Sequence, residues 1–236
     1  MSSILTTWYG HCHFTFEDFN YRLAIDPFIT NNPMFPLNCR YPSPNFILVS
    51  SLHPDHLGDT IQLARLTHAY IITSYEIATH LYPYLSTNQV VGLNVGSHLD
   101  LGKGWKLRLV KTDPLLTIGP LSSNFYPNVG FMIQFPSGVR MYYSGTTHSF
   151  AEMEQIDDLY APKYGFLPID DTYTMNPYET AYALSRYLRS ITNVIPMHWG
   201  FPQSRGTPQD LIYYLNEFRH MINVYVAIPG QSFYLN

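Results

Sequence analysis

The chain has 236 residues, with 13 Lys and Arg, 17 Asp and Glu and a formal net charge of -4. This acidic balance excludes a general nucleic-acid binder, which needs a basic stripe. No run of about 18 apolar residues occurs, so the sequence predicts no membrane-spanning helix. The first residues also lack the basic and then apolar order of a secretory signal. We therefore expect a cytoplasmic protein, and the length fits one domain over residues 1–236.

Strands dominate the predicted elements of the N-terminal half. Residues 14–19 and 22–26 form a predicted hairpin, and the apolar run 46–51 predicts a strand buried on both faces. Residues 60–68 and 75–82 have helical spacing, with a predicted strand at 70–74 between them. Residues 105–112 alternate between apolar and polar, which is typical of a half-solvated strand.

Strands and helices alternate in the C-terminal half. Residues 130–135 and 139–144 flank a predicted hairpin turn, and 164–169, 194–198 and 224–229 predict three further strands. Helices are predicted at 176–188 and 207–219, because each begins with Asn or Thr followed by Pro. This order of elements predicts an α/β protein folded as an αββα four-layer sandwich.

The densest group of candidate ligands follows the apolar strand 46–51. His53, Asp55 and His56 place two imidazoles and one carboxylate within four residues, and these are donors for Zn, Mn or Fe. We expect them on a tight loop, because a helix with this spacing would direct the three side chains apart. The alternative interpretation is a surface loop with two ordinary histidines.

Polar residues also end several other predicted strands, and together they would form a site at one sheet edge. These residues are His11, His13, Asp26, Thr146, His148, Asp170, Asp171 and His198.

The order of these segments resembles the metallo-β-lactamase superfamily, in its branch of L-ascorbate-6-phosphate-lactonase-like and related metal-dependent hydrolases. The matching segments are Trp8-Tyr9-Gly10-His11, Ile25-Asp26-Pro27-Phe28, residues 46–59, Leu167-Pro168-Ile169, Tyr173-Thr174-Met175 and Ile195-Pro196-Met197-His198. The resemblance implies an αββα sandwich whose site lies at one edge, between the two sheets.

Three ligand positions depart from the pattern of this superfamily. Its loop reads His-x-His-x-Asp-His, and the first position here is Ser51. The next histidine position falls on Pro114 or a neighbour, and the bridging aspartate is replaced by Thr146. A two-metal centre needs a bridging ligand, so we expect at most one divalent metal, Zn or Mn. The ligands that the resemblance implies for it are His53, Asp55, His56 and His198.

Other residues have implied supporting roles. Asp55 is a catalytic candidate as well as a ligand, and His11 or Asp170 is the candidate proton donor to a leaving group. Asp26 resembles a carboxylate that orients a ligand imidazole, although it fits a strand-end cap equally well. The residues that could compensate for the lost ligands are Asp113, Thr146, His148 and Asp171.

Two functions remain open from the sequence. The first is a hydrolase acting on a small anionic ester, lactone or phosphoester, with Lys111 and Arg205 as the only plausible cations for a phosphate. The second is a catalytically inactive pseudoenzyme that holds no metal and binds a ligand or partner through the former active-site cleft. We also expect a homo-oligomer, with interface tyrosines at 142–143, 213–214, 82 and 84.

Overall fold

The computed structural model describes residues 3–18, 21–37, 39, 41, 43–113, 116–118 and 125–236. Within these residues the chain forms two seven-stranded sheets and a two-stranded ribbon. The first sheet contains β1 (Ile4–Trp8), β2 (Phe14–Glu17), β3 (Arg22–Ile25), β4 (Phe46–Leu48), β5 (Tyr70–Ser74), β6 (Val90–Leu93) and the last strand, β16 (Ser232–Leu235). The second contains β7 (His98–Gly102), β8 (Trp105–Val110), β11 (Gly130–Gln134), β12 (Arg140–Tyr143), β13 (Tyr164–Pro168), β14 (Asn193–Met197) and β15 (Asn223–Val224). The ribbon pairs β9 (Leu116–Ile118) with β10 (Phe125–Pro127).

Six helices accompany these strands in the described part of the chain: α1 (Pro54–Leu57), α2 (Thr60–Thr67), α3 (Tyr75–Leu81), α4 (Met153–Tyr160), α5 (Pro177–Arg186) and α6 (Pro208–Glu217). Strand order in the first sheet is β16-β1-β2-β3-β4-β5-β6, and in the second β15-β14-β13-β12-β11-β8-β7. Strands β3 to β6 pair in parallel, and so do β12 to β15.

Aromatic side chains fill the space between the two sheets. Because side chains alternate along a strand, Phe14 and Phe16 of β2 share one face. The Phe166 ring of β13, in the opposite sheet, has its centroid 4.9 Å from that of Phe14 and 5.4 Å from that of Phe16. Trp8 and Trp105 are buried in the same core. Aromatic residues make up 16% of the chain, and part of them therefore holds the two sheets together.

Helices cover the outer face of each sheet. Leu63 of α2 and Ile77 of α3 pack on the first sheet in one buried apolar cluster. Ile156 of α4, Leu184 of α5 and Leu211 of α6 belong to the cluster on the second sheet. The layers run helix, sheet, sheet, helix, which confirms the predicted αββα sandwich. None of the described helices is long and apolar enough to cross a membrane.

The starts of α5 and α6 follow directly from their sequences. Asn176 accepts a hydrogen bond from the Glu179 amide, and the Glu179 side chain accepts one from the Asn176 amide. Thr207 and Asp210 form the same reciprocal capping box at α6. Pro occupies the first turn of both helices, where no amide hydrogen bond is lost.

Two expectations about the fold were wrong. The predicted strand 224–229 is reduced to the end of β15, an edge strand, because the chain then leaves the sheet and turns at Pro229, which has no amide to donate. Tyr142 and Tyr143 are fully buried in the second sheet and offer no interface, whereas Tyr213 is 59% exposed and Tyr84 42% exposed.

Candidate metal centre

The candidate site residues follow the carboxyl ends of strands from both sheets. Parallel pairing of β3 with β4, and of β12, β13 and β14, brings these ends to one edge of the sandwich. A cavity of about 470 Å³ lies there. Among the sequence candidates, its walls include His11, His53, Asp55, His56, Thr146, Asp170 and His198.

The backbone at this edge is unusually strained. His11, Asp26 and His198 have φ angles of 56°, 46° and 60°. The left-handed region is uncommon for residues other than glycine and carries a conformational cost. Such outliers cluster at functional sites, where surrounding contacts hold them in place. All three residues directly follow, or lie within a few residues of, a strand end.

His56 is anchored by a buried carboxylate. Its Nδ1 lies 2.7 Å from Asp26 Oδ2, and both side chains are almost completely buried. The Ser50 amide and hydroxyl donate to the Asp26 carboxylate at 2.7 and 2.6 Å, and the Tyr143 hydroxyl lies 2.8 Å from Asp26 Oδ2. The Nε2 of His56 faces Thr146, whose Oγ1 is 3.0 Å away. Asp26 therefore fixes the ring and leaves Nε2 for the cavity.

His198 is held in the same way from the second sheet. Its Nδ1 lies 2.6 Å from Asp170 Oδ2. The other oxygen, Asp170 Oδ1, accepts hydrogen bonds from the amides of Thr172, Tyr173 and Thr174 at 2.8 to 3.0 Å. Burial opposes ionisation of Asp170, but the hydrogen bond from His198 and these amides outweigh it and lower its pKa to about 2. Asp170 is therefore a carboxylate that orients His198.

His11 lies between these two imidazoles. The centroid of its ring is 3.8 Å from that of His198 and 5.6 Å from that of His56. Its Nε2 is 3.3 Å from Asp55 Oδ2, and its Nδ1 is buried with no hydrogen-bond partner in the described chain. Burial and the neighbouring His198 hold the pKa of His11 well below its usual range. The ring is therefore neutral and carries a lone pair.

The loop expected to hold three ligands is instead a short helix. Pro54–Leu57 forms α1, because Pro54 occupies its first turn and the Gly58 amide closes it on the Pro54 carbonyl. The helix gives the two histidines different surroundings: the His56 side chain is 1% exposed, whereas that of His53 is 59% exposed. His53 contacts Asp55 Oδ1 at 2.5 Å through Nδ1. The predicted loop is therefore a helical turn, and all three side chains line the cavity although only His56 is fully buried.

The charges on Asp55 and His56 follow from their neighbours. Burial opposes ionisation of Asp55, but the hydrogen bond from His53 and the nearby His56 and His11 hold its pKa well below the usual range. Burial likewise opposes a charge on His56, but the Asp26 carboxylate outweighs it and raises the pKa of His56. Burial raises the pKa of the Cys12 thiol to about 11, so the thiol is protonated at neutral pH.

Several sequence candidates lie away from the cavity. Asp113, His148 and Asp171 are exposed and do not line it, and Pro114 lies outside the described residues. His13 is buried behind it, with Nδ1 3.1 Å from the Phe28 carbonyl and Nε2 2.8 Å from the Tyr41 hydroxyl.

The two expected phosphate-binding cations are also elsewhere. Lys111 Nζ lies 2.5 Å from Glu152 Oε1, and Arg205 is exposed and does not line the cavity. No Lys or Arg of the described chain lines the cavity.

Sequence reasoning missed three members of the site. Cys12 lies directly against the histidines, and Ser50 and Tyr143 complete the hydrogen bonds of Asp26. Ser50 and Tyr143 look in the sequence like ordinary ends of apolar strands. Only the register of the folded sheets reveals that both reach Asp26.

The donor set suits a divalent cation. One ligand atom from each of His11, Cys12, His56 and His198 lies within 4.8 Å of the other three. Imidazoles whose far nitrogen is bound to a carboxylate are typical of metal ligands, because the carboxylate fixes the tautomer and the orientation of the ring. His56 and His198 both have this arrangement. The residues present therefore fit a bound metal.

Comparison with known proteins agrees with this chemistry. Residues 6–198 match the family described as Beta-lactamase superfamily domain. A UPF0173 metal-dependent hydrolase of Caldivirga maquilingensis is 35% identical over 225 residues, covering 94% of each chain. A UPF0173 metal-dependent hydrolase of Rubrobacter xylanophilus is 32% identical over 232 residues, covering 96% of this chain and 94% of the relative. Igni18, a metallo hydrolase of Ignicoccus hospitalis, has a TM-score of 0.83 and 28% identity, with 99% of both chains covered. The chain therefore belongs to the metallo-β-lactamase superfamily, among the UPF0173 metal-dependent hydrolases.

Proposed function

We propose that this protein is a hydrolase that works with a single divalent cation held by Asp55, His56 and His198. One observation carries the proposal: two imidazoles on one cavity are each anchored through Nδ1 to a buried carboxylate. Three protein ligands with an open position are the usual set of a catalytic mononuclear metal site. When bound, such a cation activates water and polarises the group to be cleaved.

The chain's own residues supply the positioning around that cation. Asp26 and Asp170 each hold Nδ1 of one ring, so that Nε2 of His56 and of His198 is the nitrogen left for the cation, which would take the place of a proton on His56. Asp55 remains ionised at neutral pH and contributes a negative charge at the cavity wall. The Thr146 hydroxyl, 3.0 Å from His56 Nε2, stands where the superfamily pattern has a bridging aspartate. A hydroxyl is a weak ligand, which supports one cation over two.

The lining of the cavity favours an uncharged ester or lactone over a phosphoester. Phosphate recognition commonly uses Lys or Arg, and the described lining contains neither. Tyr173 and Phe201 instead offer aromatic surface at the cavity wall. A volume of about 470 Å³ suits a small molecule.

The experiment measures metal content and hydrolysis together. Purified protein is analysed for metals, then assayed with p-nitrophenyl acetate, a simple lactone and a phosphodiester, before and after chelation and reloading with Zn²⁺. We expect about one metal per chain and ester or lactone hydrolysis that chelation abolishes and Zn²⁺ restores. His56→Ala removes activity, whereas His148→Ala, an exposed histidine outside the cavity, retains it.

The pseudoenzyme interpretation makes the opposite forecast. Its supporting observation is the Thr146 hydroxyl bonded to His56 Nε2, which occupies a ligand nitrogen with a neutral partner. Protein without metal, unchanged in melting temperature by Zn²⁺ or Mn²⁺ and without turnover, would establish that interpretation and overturn ours. Two metals per chain would contradict the mononuclear site.

A further inference from the structure

We infer that His11 is itself a metal ligand, so that three imidazoles, His11, His56 and His198, hold the cation against Asp55. The inference rests on the proposed mononuclear site and changes its composition. His11 stands in the sequence as a candidate proton donor, and the superfamily pattern that fits this chain places no ligand at that position.

The position of His11 supports this role. Its ring centroid is 3.8 Å from that of His198 and 5.6 Å from that of His56, so the three rings share one small volume. Its Nε2 is 3.3 Å from Asp55 Oδ2, and the other oxygen of that carboxylate, Oδ1, is 4.0 Å from His56 Nε2. Atoms that coordinate one Zn²⁺ at about 2.0–2.2 Å must lie within a few ångströms of one another. One ring nitrogen of each of the three histidines lies within 4.8 Å of the other two.

His11 also differs from the other buried histidine of its strand end. His13 is fully buried, and both of its ring nitrogens have partners, Phe28 and Tyr41. His11 is 2% exposed, yet Nδ1 has no partner in the described chain. A buried polar atom without a partner destabilises the folded state, so its presence calls for a functional explanation. A neutral imidazole with an uncommitted ring nitrogen is the form that binds a cation.

The backbone holds His11 in this strained position. The His198 amide donates to the His11 carbonyl at 3.2 Å, so the two residues are joined directly across the two sheets. Both have left-handed φ angles, 56° for His11 and 60° for His198. Strain at two adjoining non-glycine residues is expected where their side chains must meet.

His11 further replaces an imidazole that the chain directs elsewhere. His53, at the second histidine position of the superfamily loop, is 59% exposed and bound to Asp55. Cys12 lies beside the cluster but does not line the cavity, and its side chain belongs to the core between the sheets. The third imidazole of the site therefore comes from the loop between β1 and β2 rather than from the loop before α1.

A donor set of three imidazoles and one carboxylate also selects the metal. Imidazole suits Zn, Cu, Fe and Ni, whereas Mn²⁺ prefers carboxylate and water oxygen ligands. We therefore expect Zn²⁺ to bind far more tightly than Mn²⁺ to the chelated protein. Competition between the two ions, followed by elemental analysis, measures this preference without an activity assay.

The decisive experiment counts imidazoles in the wild-type protein. X-ray absorption at the zinc edge of the protein loaded with one Zn²⁺ distinguishes two from three imidazole ligands through their multiple-scattering pattern. We expect three imidazoles and no sulfur. Two imidazoles would overturn the inference, and a sulfur ligand would assign Cys12 instead.

Variants provide an independent measurement. His11→Asn is the suitable change, because asparagine tolerates the left-handed backbone that most residues avoid. Loss of a direct ligand should weaken Zn²⁺ binding by more than about 100-fold, the upper range for removal of a supporting residue. His68→Asn is the matched control, because His68 is exposed, has a left-handed φ of 58° and lies outside the cavity; it should change affinity by less than about threefold. His53→Asn tests the other candidate for the third imidazole. Melting curves of the chelated variants establish that each is folded.

The outcomes separate the two proposals. If the wild type binds no Zn²⁺, the proposed function fails. If Zn²⁺ binds with two imidazoles, or if His53→Asn weakens binding while His11→Asn does not, the proposed function stands and His11 is excluded as a ligand.

Discussion

Thr146 Oγ1 lies 3.0 Å from His56 Nε2, at the position where the superfamily pattern has a bridging aspartate. The turn that places it begins at Gly145, whose φ is 64° and where a Cβ would meet the Val129 carbonyl at 2.8 Å. This turn therefore holds residue 146 against His56, and threonine places a neutral hydroxyl there.

Thr146→Asp should restore that charge. A carboxylate beside His56 Nε2 adds a negative ligand, so we expect Zn²⁺ affinity to rise by about tenfold, which corresponds to about 1.4 kcal/mol. Competition with a chromophoric chelator measures it. Thr146→Asn adds a side chain of nearly the same shape as aspartate without its charge, and equal affinities for the two variants would refute the electrostatic explanation.

Removing the carboxylate behind His198 should weaken metal binding without touching a ligand. Asp170→Asn leaves the shape of the side chain but loses the charge that orients the His198 ring. We expect Zn²⁺ affinity to fall by about 10–100-fold. Asp171→Asn is the control, because Asp171 is exposed and asparagine tolerates its left-handed backbone. A similar loss of affinity in both variants would mean that the net negative charge near the site, and not the orientation of the His198 ring, sets the affinity for Zn²⁺.

His13 should make the fold sensitive to mild acid. Burial lowers the pKa of His13 from 6.5 to about 4. The unfolded chain therefore binds a proton at a higher pH than the folded chain. The free energy of unfolding should be highest above pH 6.5 and fall as the pH drops toward 4, by about 3 kcal/mol.

Urea unfolding of chelated protein between pH 7 and 4 measures this slope. His13→Asn keeps a polar side chain near the Phe28 carbonyl but has no proton to gain in this range. We expect a shallower slope in the variant. The interpretation fails if its slope matches that of the wild type, since other groups would then account for the acid sensitivity.

Phe166 should be among the most costly core positions. Its ring packs edge-on against Phe14 and Phe16 across the two sheets. Phe166→Ala should lower the free energy of unfolding by about 3–5 kcal/mol, because the lost ring leaves a cavity between two rigid layers. Denaturant unfolding measures it, with exposed Tyr213→Ala as the control. A loss below 1 kcal/mol, as at a surface site, would contradict a continuous inter-sheet core.

The sequence predicted the elements whose signals are local. Capping residues followed by proline locate the starts of α5 and α6. The apolar run at β4 correctly indicates burial on both faces, because Ile47 packs under the helices of the first sheet and Leu48 lies in the core between the sheets. It did not predict α4, because Glu152 provides no capping hydrogen bond there. The short β15 could not be foreseen either, since only the pairing with β14 shows where the chain leaves the sheet.

The site was predictable in its location and less so in its composition. Strand ends indicated the edge at which the cavity lies, and Asp26 holds His56 as the resemblance implies. Asp170, a candidate proton donor from the sequence, instead holds His198. The direction of each side chain was not predictable, because one turn of α1 separates His53 from His56. The buried position of His11 depends on a hydrogen bond to His198, which is 187 residues away in the chain.

The two sheets are built from different halves of the chain, which gives the candidate metal centre a second consequence. His11 and His56 come from the first sheet, formed mainly by residues 4–93, whereas His198 comes from the second, formed by residues 98–224. A cation shared among them would act as a crosslink between halves that otherwise meet through apolar packing and hydrogen bonds such as that from the His198 amide to the His11 carbonyl. Neither half alone could assemble the site, so metal uptake during refolding would report the moment at which the halves dock.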